Sequence, residues 1–129
     1  MLEGSKILGV PDIFHCHDWQ TALVPVLLRT QYAEDPGFRN SGTVFTIHNI
    51  GYQGLFPPEI LPLLTLPWDL FTITKMEFFG NVNFLKGALI YSDFVTTVSR
   101  RYAQEIQTTE FGFGLEGVLK DRSDTVTGI

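Results

Sequence analysis

Asp12-Ile13-Phe14-His15-Cys16-His17 runs into Asp18-Trp19, and further on Thr43-Val44-Phe45-Thr46-Ile47 runs into His48-Asn49. Both stretches are short and apolar, and turn-forming residues flank them, which is how strands read in a sequence. Each ends in a polar group for which a buried strand has no packing use. In open α/β sheets, ligands sit in the crevice beyond the carboxyl ends of the strands. An acid at one such end and an imidazole at another therefore mark a candidate site between them.

Outward from these strands the pattern alternates. Leu2, Lys6, Ile7 and Leu8 read as the end of a helix, with Gly9 as its cap. Ala22, Leu23, Val24, Val26, Leu27 and Leu28 predict a helix from about Thr21 to Tyr32, apolar nearly all round as if packed on a sheet. Pro25 fits its first turn, where a backbone N–H has no helical partner. Asn49 to Lys75 is a long loop rich in Gly and Pro, with a short helix expected over residues 59–64 after Pro58. Phe78, Val82, Leu85 and Leu89 form one stripe and predict a helix from about Lys75 to Tyr91. Phe94 to Val98 is the third strand, and Ser99 caps the helix that begins at Arg100. A last helix around Leu115–Asp121 leads to a strand at Thr125-Val126-Thr127-Gly128. Strands alternating with helices argue for βαβ units and a parallel sheet.

The 129 residues fit one domain, and 44% hydrophobic with 18% charged residues is a globular composition. The net charge of -5 comes without a basic stripe, which excludes a nucleic-acid groove. A single cysteine, Cys16, allows no intrachain disulfide. No apolar run approaches the roughly eighteen residues of a membrane span, so no membrane helix is expected. The first residues do not read as a signal peptide, and the chain is expected to be a piece of something longer.

Several residues admit two readings. His15 and His17 share one strand face, with Cys16 and Asp18 on the other. They can bind a metal together with His48, as in a metal-dependent hydrolase, or they can simply be hydrogen-bonded within the fold. No CxxC or HExxH spacing accompanies them, which favours no metal. Asp18 either caps the next helix or binds a hydroxyl-rich ligand. His48 either bonds a carbonyl or donates to a ligand. Gly51-Tyr52-Gln53-Gly54 is either a tight turn or a loop that holds Tyr52 and Gln53 beside a sugar. Trp19 and Tyr52 offer flat faces to pyranose rings, whereas Trp68 is expected in the core. Phe111-Gly112-Phe113-Gly114 lacks the strand–GxGxxG–helix setting of a phosphate loop and reads as a turn.

His15-Cys16-His17-Asp18-Trp19-Gln20-Thr21-Ala22, Thr46-Ile47-His48-Asn49-Ile50-Gly51-Tyr52-Gln53-Gly54, Leu66-Pro67-Trp68-Asp69, Phe84-Leu85-Lys86-Gly87 and Val95-Thr96-Thr97-Val98-Ser99 with Tyr102-Ala103-Gln104-Glu105-Ile106 stand in this order along the chain. Together they closely resemble the bacterial glycogen synthase and plant starch synthase family. The resemblance implies an α/β, Rossmann-like parallel sheet with flanking helices over residues 1–129. It would be the partial N-terminal, acceptor-side domain of a two-domain GT-B glycosyltransferase whose C-terminal nucleotide-sugar domain is absent. It implies glucose transfer from ADP-glucose to an α-1,4-glucan, with retention and with neither metal nor cofactor. It also implies a cytoplasmic location in a bacterium, or a plastid in a plant. Asp18 falls on the family's aspartate beside the donor glucose and His48 on its histidine near the hydroxymethyl group. Asn49, Tyr52, Gln53 and Trp19 are the implied substrate contacts.

Three departures qualify the match. The family's Lys-Thr-Gly-Gly loop and its C-terminal basic residues are missing, so residues 1–129 alone are expected to be inactive. Arg100 stands where the family commonly has proline. A noncatalytic glucan-binding module is the alternative of a different class.

Overall fold

A computed structural model describes all 129 residues. Four strands form a parallel sheet in the order β1-β2-β6-β7: β1 (Ile13–His17), β2 (Gly42–Ile47), β6 (Phe94–Thr97) and β7 (Val126–Gly128). A second, antiparallel sheet has the order β3-β5-β4, from β3 (Leu55–Phe56), β4 (Glu77–Phe78) and β5 (Asn81–Asn83). The helices are α1 (Leu2–Leu8), α2 (Leu23–Arg29), α3 (Ile60–Leu63), α4 (Phe84–Tyr91), α5 (Arg100–Glu105) and α6 (Glu116–Asp121).

Alternation in the strands sorts the two faces of the parallel sheet. Phe14, Cys16, Phe45, Ile47, Val95 and Thr97 are buried, and the apolar ones join α2, α4 and α6 in one core. Burying a side chain the size of Phe45 stabilises the fold by about 1.5–3 kcal/mol. Burial also pushes the Cys16 thiol up to about 11. The opposite face carries His15, His17, Val44, Thr46 and Thr96. It also carries Ile13, Phe94 and Val98, each more than half exposed. Much of that face is exposed, although Thr46 is buried within it.

The helix expected over residues 75–91 is instead a hairpin followed by a helix. Phe79 and Gly80 take φ of 49° and 83°, and this left-handed pair reverses the chain between β4 and β5. Val82, Leu85 and Leu89 of the predicted stripe are all buried, but Val82 lies on a strand. Asn83 then caps α4, its side-chain oxygen accepting from the Lys86 N–H at 2.9 Å. Lys86 is buried, and its ammonium donates to the carbonyls of Ile73 and Glu77, tying α4 to the hairpin.

The helix predicted from Thr21 to Tyr32 is shorter. Trp19–Thr21 is a 3-10 turn, and α2 spans Leu23–Arg29 with Pro25 in its first turn, as expected. Ser99 caps α5 through the Tyr102 N–H, so Arg100 in place of proline does not prevent the helix from starting there. Trp68, expected in the core, is 55% exposed, because it sits in a 3-10 turn whose buried residue is Leu70.

Gly87 explains how closely α2 and α4 approach. A Cβ there would lie 2.8 Å from the Met76 side chain and 3.0 Å from Val26. Glycine inside a helix costs about 1 kcal/mol against alanine, so its presence reflects this contact. Gly87→Val should therefore destabilise the protein by about 1–3 kcal/mol through overpacking, read as a lowered denaturation midpoint.

Candidate functional site

The Asp18 carboxylate meets the backbone of residue 48, while the His48 imidazole turns to His17 and does not line the hollow beside Asp18. Parallel pairing of β1 with β2 aligns His17 with Thr46 and brings both carboxyl ends to one rim. The Asp18 N–H donates to the Thr46 carbonyl at 3.0 Å. The Asp18 carboxylate then reaches across, Oδ1 accepting from the His48 N–H at 2.8 Å and the Asn49 N–H at 3.4 Å. It makes no capping bond to the turn that follows, so the capping reading of Asp18 is replaced by a bridge between strand ends.

Asp18 also has unusual backbone angles, φ 54° and ψ -179°. That region is essentially reserved for glycine and costs on the order of 1–3 kcal/mol for another residue. Strain of this kind persists only where the surroundings over-determine it. Here the backbone bond to Thr46 and the two N–H donors to the carboxylate supply the constraint. Thr21 adds a further tie: its hydroxyl accepts from the His17 N–H and donates to the His17 carbonyl, both at 2.7 Å.

The three histidines stand in a row along the open face. His17 Nδ1 lies 3.1 Å from His48 Nε2. The His15 ring centroid is 4.3 Å from that of His17, and its Nε2 is 2.7 Å from the Thr46 hydroxyl. Thr46 in turn is 2.6 Å from the Thr96 hydroxyl. Partial desolvation, with His15 and His48 nearby, pushes the His17 pKa below its ordinary value, against the opposing pull of Asp18. No group of three or more His, Cys, Asp or Glu is arranged to hold a metal ion.

Asp18, Trp19, Gln20, Asn49 and Tyr52 line a hollow of about 230 Å³ beside this rim. Larger hollows of about 420 and 550 Å³ lie elsewhere, one around Arg29, Asp69 and Tyr91, the other between α4 and α6. Neither touches the strand ends. Tyr52 is 68% exposed at the edge of the smaller hollow. Trp19 is half-buried, with Gly54 at φ 68° pressed so close that a Cβ there would lie 2.6 Å from the indole. Asn49 turns its side-chain oxygen to the Gly51 N–H at 2.9 Å and shapes the loop.

Gln53 does not join them. It is 7% exposed, and its amide is used up inside the fold. Its nitrogen donates to the carbonyls of Ile50 and Phe113, and its oxygen accepts from Asn83 at 2.7 Å. Gln53 therefore holds the loop rather than meeting a ligand directly. Gln20, Thr21 and Asn83 were not singled out in the sequence. Gln20 and Thr21 follow Asp18-Trp19 directly, whereas nothing local to Asn83 announces its role.

An open parallel sheet, with an acid and an amide-lined hollow beyond its carboxyl ends, places the chain in the α/β class. The chain belongs to the starch synthase catalytic domain family, whose sequence profile matches residues 1–121. It is 80% identical over 129 residues to a glycogen synthase of Koribacter versatilis, covering 100% of this chain and 27% of that protein. It is 57% identical over 129 residues to a glycogen synthase of Pseudothermotoga lettingae, covering 99% of this chain and 26% of that protein. Among solved structures it matches the catalytic domain of starch synthase IV from Arabidopsis thaliana bound to ADP and acarbose. There the TM-score is 0.92 at 41% identity, over 99% of this chain and 27% of that one. The chain thus spans about a quarter of the length of the curated relatives it matches. No helix in it is long and apolar enough to cross a membrane.

Proposed function

We propose that residues 1–129 form the acceptor-side part of a retaining glucosyltransferase that extends an α-1,4-glucan from ADP-glucose, working in the bacterial cytoplasm. The observation that carries this reading is the Asp18 bridge to residues 48 and 49 beside the Asp18–Tyr52 hollow. Family membership, the glycogen synthase names of the relatives and the ADP and acarbose in the Arabidopsis structure support the substrate class.

Glucosyl transfer passes through a transition state with positive charge on the sugar, so fixed negative charge and pre-oriented hydrogen bonds lower its energy. Asp18 spends Oδ1 on the two backbone N–H groups and keeps its second oxygen for the hollow. His48 Nε2 faces His17, so Nδ1 is the imidazole nitrogen left for a sugar hydroxyl. Trp19 and Tyr52 supply apolar faces for pyranose rings and limit water. No second carboxylate stands at an equivalent strand end to complete the acid–nucleophile pair of a glycoside hydrolase.

The test is glucose transfer from ADP-glucose to glycogen. The complete protein carrying this chain should transfer, and residues 1–129 alone should not. Retention in glycogen gels without transfer by the complete protein would leave only glucan binding. Stoichiometric zinc or manganese in the purified protein would favour the hydrolase reading built on His15, His17 and His48.

A further inference from the structure

We propose that His17 is a positioning residue for His48: by donating from Nδ1 to His48 Nε2, it fixes His48 as the neutral Nδ1–H tautomer that meets the ligand. This inference rests on the functional reading above for its kinetic arm, but not for its spectroscopic one.

Two imidazole nitrogens 3.1 Å apart share one hydrogen, since two N–H groups would collide and two lone pairs would repel. One ring is therefore the donor and the other the acceptor. Which tautomer a histidine adopts is set by the bond its other nitrogen makes. With Nε2 engaged, a His48 that donates to a hydroxyl must do so from Nδ1, and this requires His17 to carry the shared proton.

His17 is built to hold that position. Its backbone N–H and carbonyl are both bonded to the Thr21 hydroxyl, so the residue is clamped at the strand end rather than fraying from it. Its ring is stacked on His15, itself held by Thr46 and, through Thr46, by Thr96. The row thus passes a fixed orientation from β6 through β2 and β1 to the site.

The same arrangement resists a proton on both rings at once. A pair of imidazolium ions would place two N–H groups against each other. The titratable groups facing His17 are His15 on its own strand, His48 across the gap and Asp18 beside it. From β2 and β6 the neighbours are the neutral hydroxyls of Thr46 and Thr96. His15 and His48 oppose a charge on His17, and only Asp18 favours one.

The test uses the complete protein with 15N-labelled histidine, in three forms: wild type, His17→Phe and His17→Asn. Asparagine places an amide N–H close to where Nδ1 stood; phenylalanine keeps the stacking and removes the donor. In wild type, His48 should show the Nδ1–H tautomer, and in His17→Phe it should revert to the Nε2–H form that free imidazoles favour. His17→Phe should lower kcat roughly tenfold, the scale seen when a partner orienting an imidazole is lost, with KM for glucan nearly unchanged. His17→Asn should recover most of that loss.

An Nε2–H tautomer of His48 in wild type would overturn the proposal, as would an unchanged tautomer in His17→Phe. A His17→Asn variant as slow as His17→Phe would assign His17 to structure alone. If wild type transfers no glucose, the functional reading fails while the tautomer measurement still decides this one.

Discussion

Asp18→Ala in the complete protein is expected to lower turnover roughly a hundredfold, with a much smaller change in glucan affinity. The carboxylate has two jobs in the structure. It orders the backbone at His48 and Asn49 through two N–H donors, and it places negative charge at the hollow. Alanine removes both and leaves a side chain in a backbone region suited to glycine. Asp18→Asn keeps an acceptor for the two N–H groups but not the charge, so it separates the jobs. Asp18→Gly relieves the backbone strain without restoring the carboxylate, and it should be as slow as Asp18→Ala. Measured turnover near wild type for Asp18→Gly would show that backbone geometry alone was required. Equal losses in turnover and glucan affinity for Asp18→Ala would reduce the residue to a binding role.

Asn83→Ala should have the largest effect on stability of any polar substitution near the site. Asn83 is 0% exposed and serves two elements at once. Its oxygen caps α4 and its amide nitrogen donates to Gln53, which in turn holds the loop after His48 through Ile50 and Phe113. Losing the cap costs about 1 kcal/mol. Leaving the Gln53 oxygen buried without a donor adds about 1–3 kcal/mol. Faster hydrogen exchange at the amides of α4 and of the Gln53 loop, with β1 and β2 unaffected, is the expected signature. Uniform acceleration throughout the chain would mean that Asn83 supports the core generally. Unchanged exchange would mean that the loop is held by other bonds.

The sequence made the parallel sheet legible because β1, β2 and β6 are bounded apolar runs whose periodicity survives in the structure. It also made the rim legible, since Asp18 and His48 had no packing reason to follow those runs. Periodicity failed at residues 75–91. There Phe78, Val82, Leu85 and Leu89 fit a helix stripe, yet the backbone reverses at Phe79-Gly80; hairpin positions turn Phe78 and Val82 to the core, and only Leu85 and Leu89 belong to α4. Gln53 and Trp68 failed for a related reason. Composition says that an amide beside glycines suits a sugar and that a tryptophan suits a core. Only tertiary contacts reveal that Asn83 claims the first and that Leu70 fills the place of the second. The His17–His48 bond was invisible for want of register: it needs β1 paired to β2 with His17 opposite Thr46.

One side of the parallel sheet carries Ile13, Phe94 and Val98 in contact with water, in the same plane as the imidazole row. Any layer laid over that plane would dehydrate hydrocarbon and imidazole together. A covering layer would therefore have to bring hydrogen-bond partners for the imidazoles as well as apolar side chains for Ile13, Phe94 and Val98, since a polar group dried without a partner costs free energy.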